Sequence, residues 1–319
     1  MKKFLLALFL TLASSVVLAA DPWPTKAVHV IVPFPPGSSP DLVARMLTEK
    51  LAQALGQPVV VENKPGAGGN IGTGLVAKAE PDGYTLGLSI PGPLAVNTVL
   101  YKKMEYDPFT ELAPITLVAV SPNVLIVNPS LSVNTVKEFI EYARARPGKL
   151  NYGSVGNGSA SHLTMELLKM QAGIDIVHVP YPGSPQVNTA ILANQIQAGF
   201  VVPGTAMPMV QSGRVKALAV TSSSKSPVLP DLPTIAEAFP GFESSAWIGM
   251  VAPAKTPKAI IDRLSQELVT IIHSAEVRER MLRIYFQAVG TTPEGLASLM
   301  RSERDRWAKV IRQTGAGVD

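Results

Sequence analysis

Short β-branched runs recur along this chain, each ending in a Gly-, Pro- or Ser-rich loop, and most reopen as an amphipathic helix. That pattern allows few architectures. Val28-His29-Val30-Ile31-Val32 leads into Pro33-Phe34-Pro35-Pro36-Gly37-Ser38-Ser39-Pro40-Asp41, after which Val43, Leu47, Leu51 and Leu55 fall on one helical stripe. Residues 58–63 lead into a loop carrying Gly66, Gly68 and Gly72, and 84–90 end in Pro91-Gly92-Pro93. Further on, 150–152 precede the run from Gly153 to His162, 176–180 precede Tyr181-Pro182-Gly183, and 197–202 precede Pro203-Gly204-Thr205. Strands alternating with helices predict an α/β fold with a mostly parallel sheet, in which ligands sit beyond the carboxyl ends of the strands. The loops named here all lie at such ends.

A length of 319 residues is enough for about two domains. The alternation breaks near 112–127, where two strand-like runs are split by Ser121-Pro122, and a crossing between domains is expected there. A Pro-rich link from 226 to 233 is followed by a strand at 247–252 and by amphipathic helices at 258–273, 276–285 and from 292 through Trp307. These are expected to pack back on the first unit. The predicted organisation is a first lobe of 21–122 with 240–319, and a second lobe of 123–239. Ahead of both, Lys2 and Lys3, an apolar run and Val16-Val17-Leu18-Ala19-Ala20 have the form of a secretory signal peptide over 1–20, cut near Ala20. Removing its two lysines takes the formal charge from +4 to +2, which gives no electrostatic footprint for nucleic acid. With no cysteine, disulfides are excluded and stability must come from core burial. A monomer is expected.

The loops have a common chemistry. Ser159 and Ser161 are good helix N-caps behind three glycines. Ser39 before Pro40, and Ser184 before Pro185, repeat the cap and first-position pattern. A helix start offers unpaired N–H groups and a partial positive charge, which suits a carboxylate, phosphate or sulfate. Asp41 is expected to cap its own helix, Arg45 to lie on a solvated face, and Ser89 to face whatever lies above the sheet. Four or five hydrogen bonds from neutral donors to a charged group, at about 1.5–3 kcal/mol each, can reach the roughly 8 kcal/mol of a micromolar complex without any arginine.

Several stretches, in order, resemble the substrate-binding proteins of tripartite tricarboxylate transporters, the Bug family. They are Lys64-Pro65-Gly66-Ala67-Gly68-Gly69-Asn70-Ile71-Gly72, Pro81-Asp82-Gly83-Tyr84-Thr85-Leu86, Ser161-His162-Leu163, His178-Val179-Pro180-Tyr181, Leu218-Ala219-Val220-Thr221 and Pro233-Thr234-Ile235-Ala236-Glu237-Ala238, with Trp247 and Gly249 beyond. The resemblance implies a periplasmic binding protein type II fold: two α/β lobes, a hinge, and a ligand cleft between them that closes on a small carboxylate. It also implies delivery to membrane permease subunits. The ligand would lie between the loop from Phe34 to Ser39 and the helix start from Asn157 to Ser161. The candidate ligand-binding residues are Phe34, Gly37, Ser38, Ser39, Ser89, Asn157, Gly158, Ser159, Ser161, Tyr181, Pro203 and Thr205. Two stretches depart from the family's habit. The first loop reads Gly37-Ser38-Ser39-Pro40-Asp41, where Gly-Gly-Ser/Thr-x-Asp is usual. Val201-Val202-Pro203 stands after Phe200, where an acidic residue and Asn are usual, which argues against an amino-acid ligand and for a flatter or more apolar dicarboxylate.

Catalysis finds little support. No Gly-x-Ser-x-Gly elbow occurs, and Ser161 and His162 diverge by about 100° on a helix. His29, His162, His178 and His273 show no metal-ligand spacing, so neither a catalytic residue nor a metal is expected. Gly66, Gly68 and Gly72 sit one residue off a dinucleotide fingerprint and are read as tight loop–helix packing, without a cofactor. An exported hydrolase and a ligand sensor signalling to a receptor are the competing classes.

Overall fold

The computed structural model describes residues 23–181 and 183–316. The expected signal peptide lies outside them. Five runs predicted as strands join a first sheet, and its order shows two connectivities. Strands β1 (Val28–Val32), β2 (Val59–Asn63) and β3 (Thr85–Ser89) are parallel to one another. β4 (Leu112–Pro122) and β10 (Ser245–Pro253) run antiparallel as a long pair beside them, and β11 (Gln287–Ala288) closes the edge, giving the order β11-β4-β10-β3-β1-β2. Alternation sorts β1 onto two faces: Val28, Val30 and Val32 pack on one, and Ile31 packs on the other, which also carries His29. Helices α1 (Ser39–Leu55) and α8 (Lys258–His273) cover the first face, with Val43, Leu47, Leu51, Leu264 and Leu268 all buried. Helix α2 (Asn70–Ala77), a wide turn at Gly92–Val96 and α3 (Asn97–Leu100) lie beyond it in chain order, and Val76 and Leu94 pack with Ile31 on the second face.

The second sheet holds β5 (Val124–Val127), β6 (Asn151–Ser154), β7 (Val177–Pro180), β8 (Ala198–Val201) and β9 (Lys216–Val220), in the order β7-β6-β8-β5-β9. β6, β7 and β8 are parallel, whereas β5 is antiparallel to both of its neighbours. Helices α4 (Val136–Arg144), α5 (Ala160–Ala172), α6 (Ser184–Leu192) and α7 (Pro203–Gln211) accompany it. A fourth-strand loop was expected at 203–205; the structure has a helix there, started by Pro203 and continuing through Pro208.

The chain leaves the first sheet after Pro122 and returns with Ser245. A polar cluster ties both passages together. Asn123 N donates to Thr221 Oγ1 at 2.8 Å, Asn123 Nδ2 donates to the Ser244 carbonyl at 3.1 Å, and Thr221 Oγ1 donates to the same carbonyl at 2.8 Å. All three residues are buried, so these bonds replace water the strands would otherwise need. After α9 (Ala275–Arg283) and β11, helix α10 (Pro293–Thr314) spans the junction, contacting β4 of the first sheet and α5 of the second. Its Glu303, only 5% exposed, accepts from the indoles of both Trp247 and Trp307, at 3.3 and 3.2 Å. It outruns its expected end at Trp307 by two turns, because Val310 and Ile311 remain on its buried face.

Candidate functional site

The loop after β1 is built around a buried carboxylate. Asp41, 2% exposed, accepts from the Gly37 N–H at 2.8 Å, from Asn63 Nδ2 at 2.9 Å and from Arg45 Nε at 3.1 Å, and Arg45 Nη2 lies 3.0 Å from its second oxygen. Asn63 also donates to the Phe34 carbonyl at 2.9 Å, which pins the loop at both ends. Burial opposes ionisation of Asp41, but the hydrogen bonds from Arg45, Gly37 and Asn63 outweigh it and hold its carboxyl below the usual carboxylate range. Arg45 lies on a solvated face, as expected, and from there pairs with Asp41. One expectation changes: the helix starts at Ser39, so Ser38 and not Ser39 occupies the cap position, with no side-chain cap bond. Asp41 reaches back to Gly37 and leaves the serines unemployed.

That leaves donors. Ser38 Oγ is buried without a partner, and among the described residues the N–H groups of Ser39 and Asp41 and the Ser39 hydroxyl have no protein acceptor. A buried hydroxyl left unpaired is costly unless something else fills its valence. Phe34 forms the apolar side of this loop, in contact distance of Gly69 and half-buried on the first core. Gly72 accounts for the close approach of α2: a Cβ there would lie 2.6 Å from the Lys64 carbonyl and 2.8 Å from Pro33 Cα.

The loop after β6 is the counterpart in the second lobe. Gly156 and Gly158 adopt φ of 114° and 71°, the left-handed region that glycine fills without strain. Ser159 caps α5, accepting from His162 N at 3.3 Å and donating to the Gly156 carbonyl at 2.7 Å. Ser161 is not a cap. It sits in the first turn, accepts from Val155 N at 3.2 Å and lies 3.1 Å from Ser159 Oγ. Asn157 is exposed, and the N–H groups of Asn157, Ala160 and Ser161 have no acceptor among the described residues. Gly158 N is used internally, by His162 Nδ1 at 2.8 Å.

The remaining candidates are dispersed around these two loops. Tyr181 is half-buried at the end of β7, its N–H donating to the Ser154 carbonyl at 2.9 Å. Pro203 is buried at the first turn of α7, and Thr205 Oγ1 donates to the Val202 carbonyl at 3.1 Å. Ser89 is 1% exposed and 3.0 Å from Thr73 Oγ1, so its hydroxyl is engaged beneath α2 and does not face open space. The start of α6 also differs: Gly183 is its cap residue and Ser184 its first.

Sequence reasoning missed what lies behind the second loop. His162 and His178 are stacked, with centroids 4.0 Å apart and planes 10° from parallel, and Tyr152 stacks on His178 at 4.9 Å. Tyr152 donates to Glu166 at 2.6 Å, and Lys169 pairs with the same carboxylate at 2.7 Å. His178 Nε2 lies 2.6 Å from Ser154 Oγ, but Ser154 is fully buried, so this Ser–His contact has no access to a substrate. Burial pushes His178 down to about 4 and lowers His162. The two histidines are 16 positions apart, on a helix and a strand, and no local spacing signals their meeting. Among the described residues no three His, Asp or Glu side chains are arranged to hold a metal, and no helix is long and apolar enough to cross a membrane.

Two α/β lobes sharing two strand passages, each lobe presenting a loop of unspent donors at parallel-strand ends, define a solute-binding protein of the two-lobed class. The profile of the tripartite tricarboxylate transporter family receptor matches residues 43–316, and the chain belongs to that family. It is 37% identical over 301 residues to Protein BugT of Bordetella pertussis, covering 94% of this chain and 92% of that one. Among solved structures it is similar to R. palustris Rpa4515 with adipate, at a TM-score of 0.80 and 36% identity over 92% of this chain and 98% of that one. It is also similar to MatC from Rhodopseudomonas palustris with bound malate, at 0.75 and 32% over 90% and 99%.

Proposed function

We propose that this protein is a periplasmic solute-binding protein that captures a small dicarboxylate by closing its lobes and hands it to the membrane permease subunits of a tripartite tricarboxylate-type transporter. The observation that carries the reading is the set of unpaired neutral donors at the two loops, above all the buried Ser38 hydroxyl, with the free N–H groups of Ser39, Asp41, Ala160 and Ser161. One carboxylate would take the Ser38–Asp41 donors and the first turn of α5 would meet the same or the other end. Arg45, the cation beside the first loop, is already committed to Asp41, so the ligand is held by neutral groups and is released when the lobes part. The hinge is placed at the Asn123–Thr221–Ser244 cluster, which stays bonded while the lobes rotate. Val202, exposed beside Pro203, offers an apolar surface to a ligand's carbon chain, in keeping with an unsubstituted dicarboxylate.

Removal of the leader and export complete the reading. A thermal-shift panel of malate, adipate, citrate and benzoate on the mature chain tests the ligand class. At least one dicarboxylate is expected to raise the melting temperature by several degrees, as ligand at 100 times its Kd contributes about 2.7 kcal/mol. No shift with any of the four, or a shift with neither malate nor adipate, would refute it.

A further inference from the structure

The second-lobe loop is not shaped by its own residues alone. Gly158 N–H points into the ring nitrogen Nδ1 of His162 at 2.8 Å, and a backbone N–H can only donate. His162 Nδ1 must therefore be an acceptor, which fixes the ring as neutral with its proton on Nε2. The ring in turn is clamped by the parallel ring of His178, 4.0 Å away, and His178 reaches Ser154 Oγ, which accepts from Gly156 N at 3.1 Å. Both glycines of the cradle are thus held from behind by one imidazole each, directly or through Ser154. We infer that His162, braced by His178, is a positioning residue for the carboxylate site: it holds the Gly156–Ser159 loop so that the N–H groups of Asn157, Ala160 and Ser161 point at ligand, and only the uncharged ring can do so. This rests on the carboxylate reading above.

A proton on His162 Nδ1 would set two donors face to face and release Gly158, and stacked rings at this distance cannot both be charged without repulsion. The groups that face the pair balance. Glu166 and Lys169 on α5 are paired with each other, Tyr152 on β6 donates a hydrogen bond to Glu166 and stays neutral, and β8 contributes no titratable group. On α10, which packs against α5, Glu303 and Arg306 are ion-paired. No net charge near the rings compensates a second proton, and burial keeps both neutral.

The test has a ligand arm and a ligand-free arm. In calorimetry with adipate at pH 8, His162→Ala is expected to bind at least tenfold more weakly than the wild type. His162→Asn, whose amide oxygen can accept near the Nδ1 position and does not titrate, is expected within about threefold. As pH falls below the ordinary histidine range the wild type should lose affinity relative to His162→Asn, both facing the same ionisation of adipate. Without ligand, the protection factor of the Gly158 amide, its exchange rate set against the intrinsic rate at the same pH, should be high in the wild type and His162→Asn at pH 8, and low in His162→Ala and in the acidified wild type. An unprotected Gly158 amide in the wild type at pH 8, or His162→Ala binding adipate within twofold of the wild type, overturns the proposal. A protected amide in a protein that binds no carboxylate would instead leave the lock standing and sink the ligand reading. If His162→Ala does not fold, the acidified wild type and His162→Asn decide alone.

Discussion

Replacing Asp41 by Asn puts the most weight on a single atom. The carboxylate takes four donors, and Asn can keep Oδ1 for Asn63 and Arg45 Nη2, at 2.9 and 3.0 Å. Its Nδ2 cannot accept from Gly37 N or Arg45 Nε, which now donate to the second oxygen at 2.8 and 3.1 Å. Two charge-assisted bonds at about 1.5–3 kcal/mol each are lost, but Arg45 is half-exposed and water takes over its share. The remaining cost is about 2–3 kcal/mol, most of it from Gly37. Urea titration at pH 7 should show a lower midpoint with an unchanged m-value, and a melting temperature lower by about 4–10 °C. The difference should depend on pH with a known sign. Asp41's carboxyl is held below its unfolded value, so its contribution is complete above the ordinary carboxylate range and is lost as pH falls through the folded value. Wild type and variant should therefore converge as pH falls below the ordinary carboxylate range. Adipate affinity should drop as well, since Gly37 orients the Ser38 and Ser39 donors. An unchanged midpoint together with unchanged affinity would refute the claim that this carboxylate organises the first loop.

Other substitutions separate site from scaffold. Ser159→Ala removes the α5 cap and the bond to Gly156, so about 1 kcal/mol of stability and several-fold of carboxylate affinity should go together, read by urea midpoints and calorimetry. Gly72→Ala drives a methyl into Lys64 O and Pro33, and about 1–3 kcal/mol of destabilisation is expected by thermal melt despite the better helix propensity.

Much of the scaffold is readable from periodicity, because buried parallel strands and amphipathic helices write their burial into the order of residues. Helix 258–273 falls where its stripe of Leu264 and Leu268 puts it. What escapes is where that code fails. In 92–96, Leu94, Ala95 and Val96 are all buried beside Pro93, so no face is polar and no period shows. Pro203 and Pro208 disguise α7 as a loop. At the site, the serines and glycines of both loops stand out in the sequence. Of the residues that hold them in shape, Asp41 and Arg45 lie one turn apart on α1, but the reach of Asp41 to Asn63 and Gly37 does not show in that spacing. His162 and His178, on a helix and a strand, meet only through tertiary structure.

The shared grip of Glu303 on Trp247 and Trp307 has a practical side. One indole belongs to β10, which begins where the chain re-enters the first sheet, and the other to α10, which leans on both sheets' elements. If the lobes rotate as proposed, the contact that can change is the one from Glu303 to Trp247, since Trp307 lies one turn from Glu303 on the same helix. Trp247 emission would then be the protein's own optical gauge of that motion.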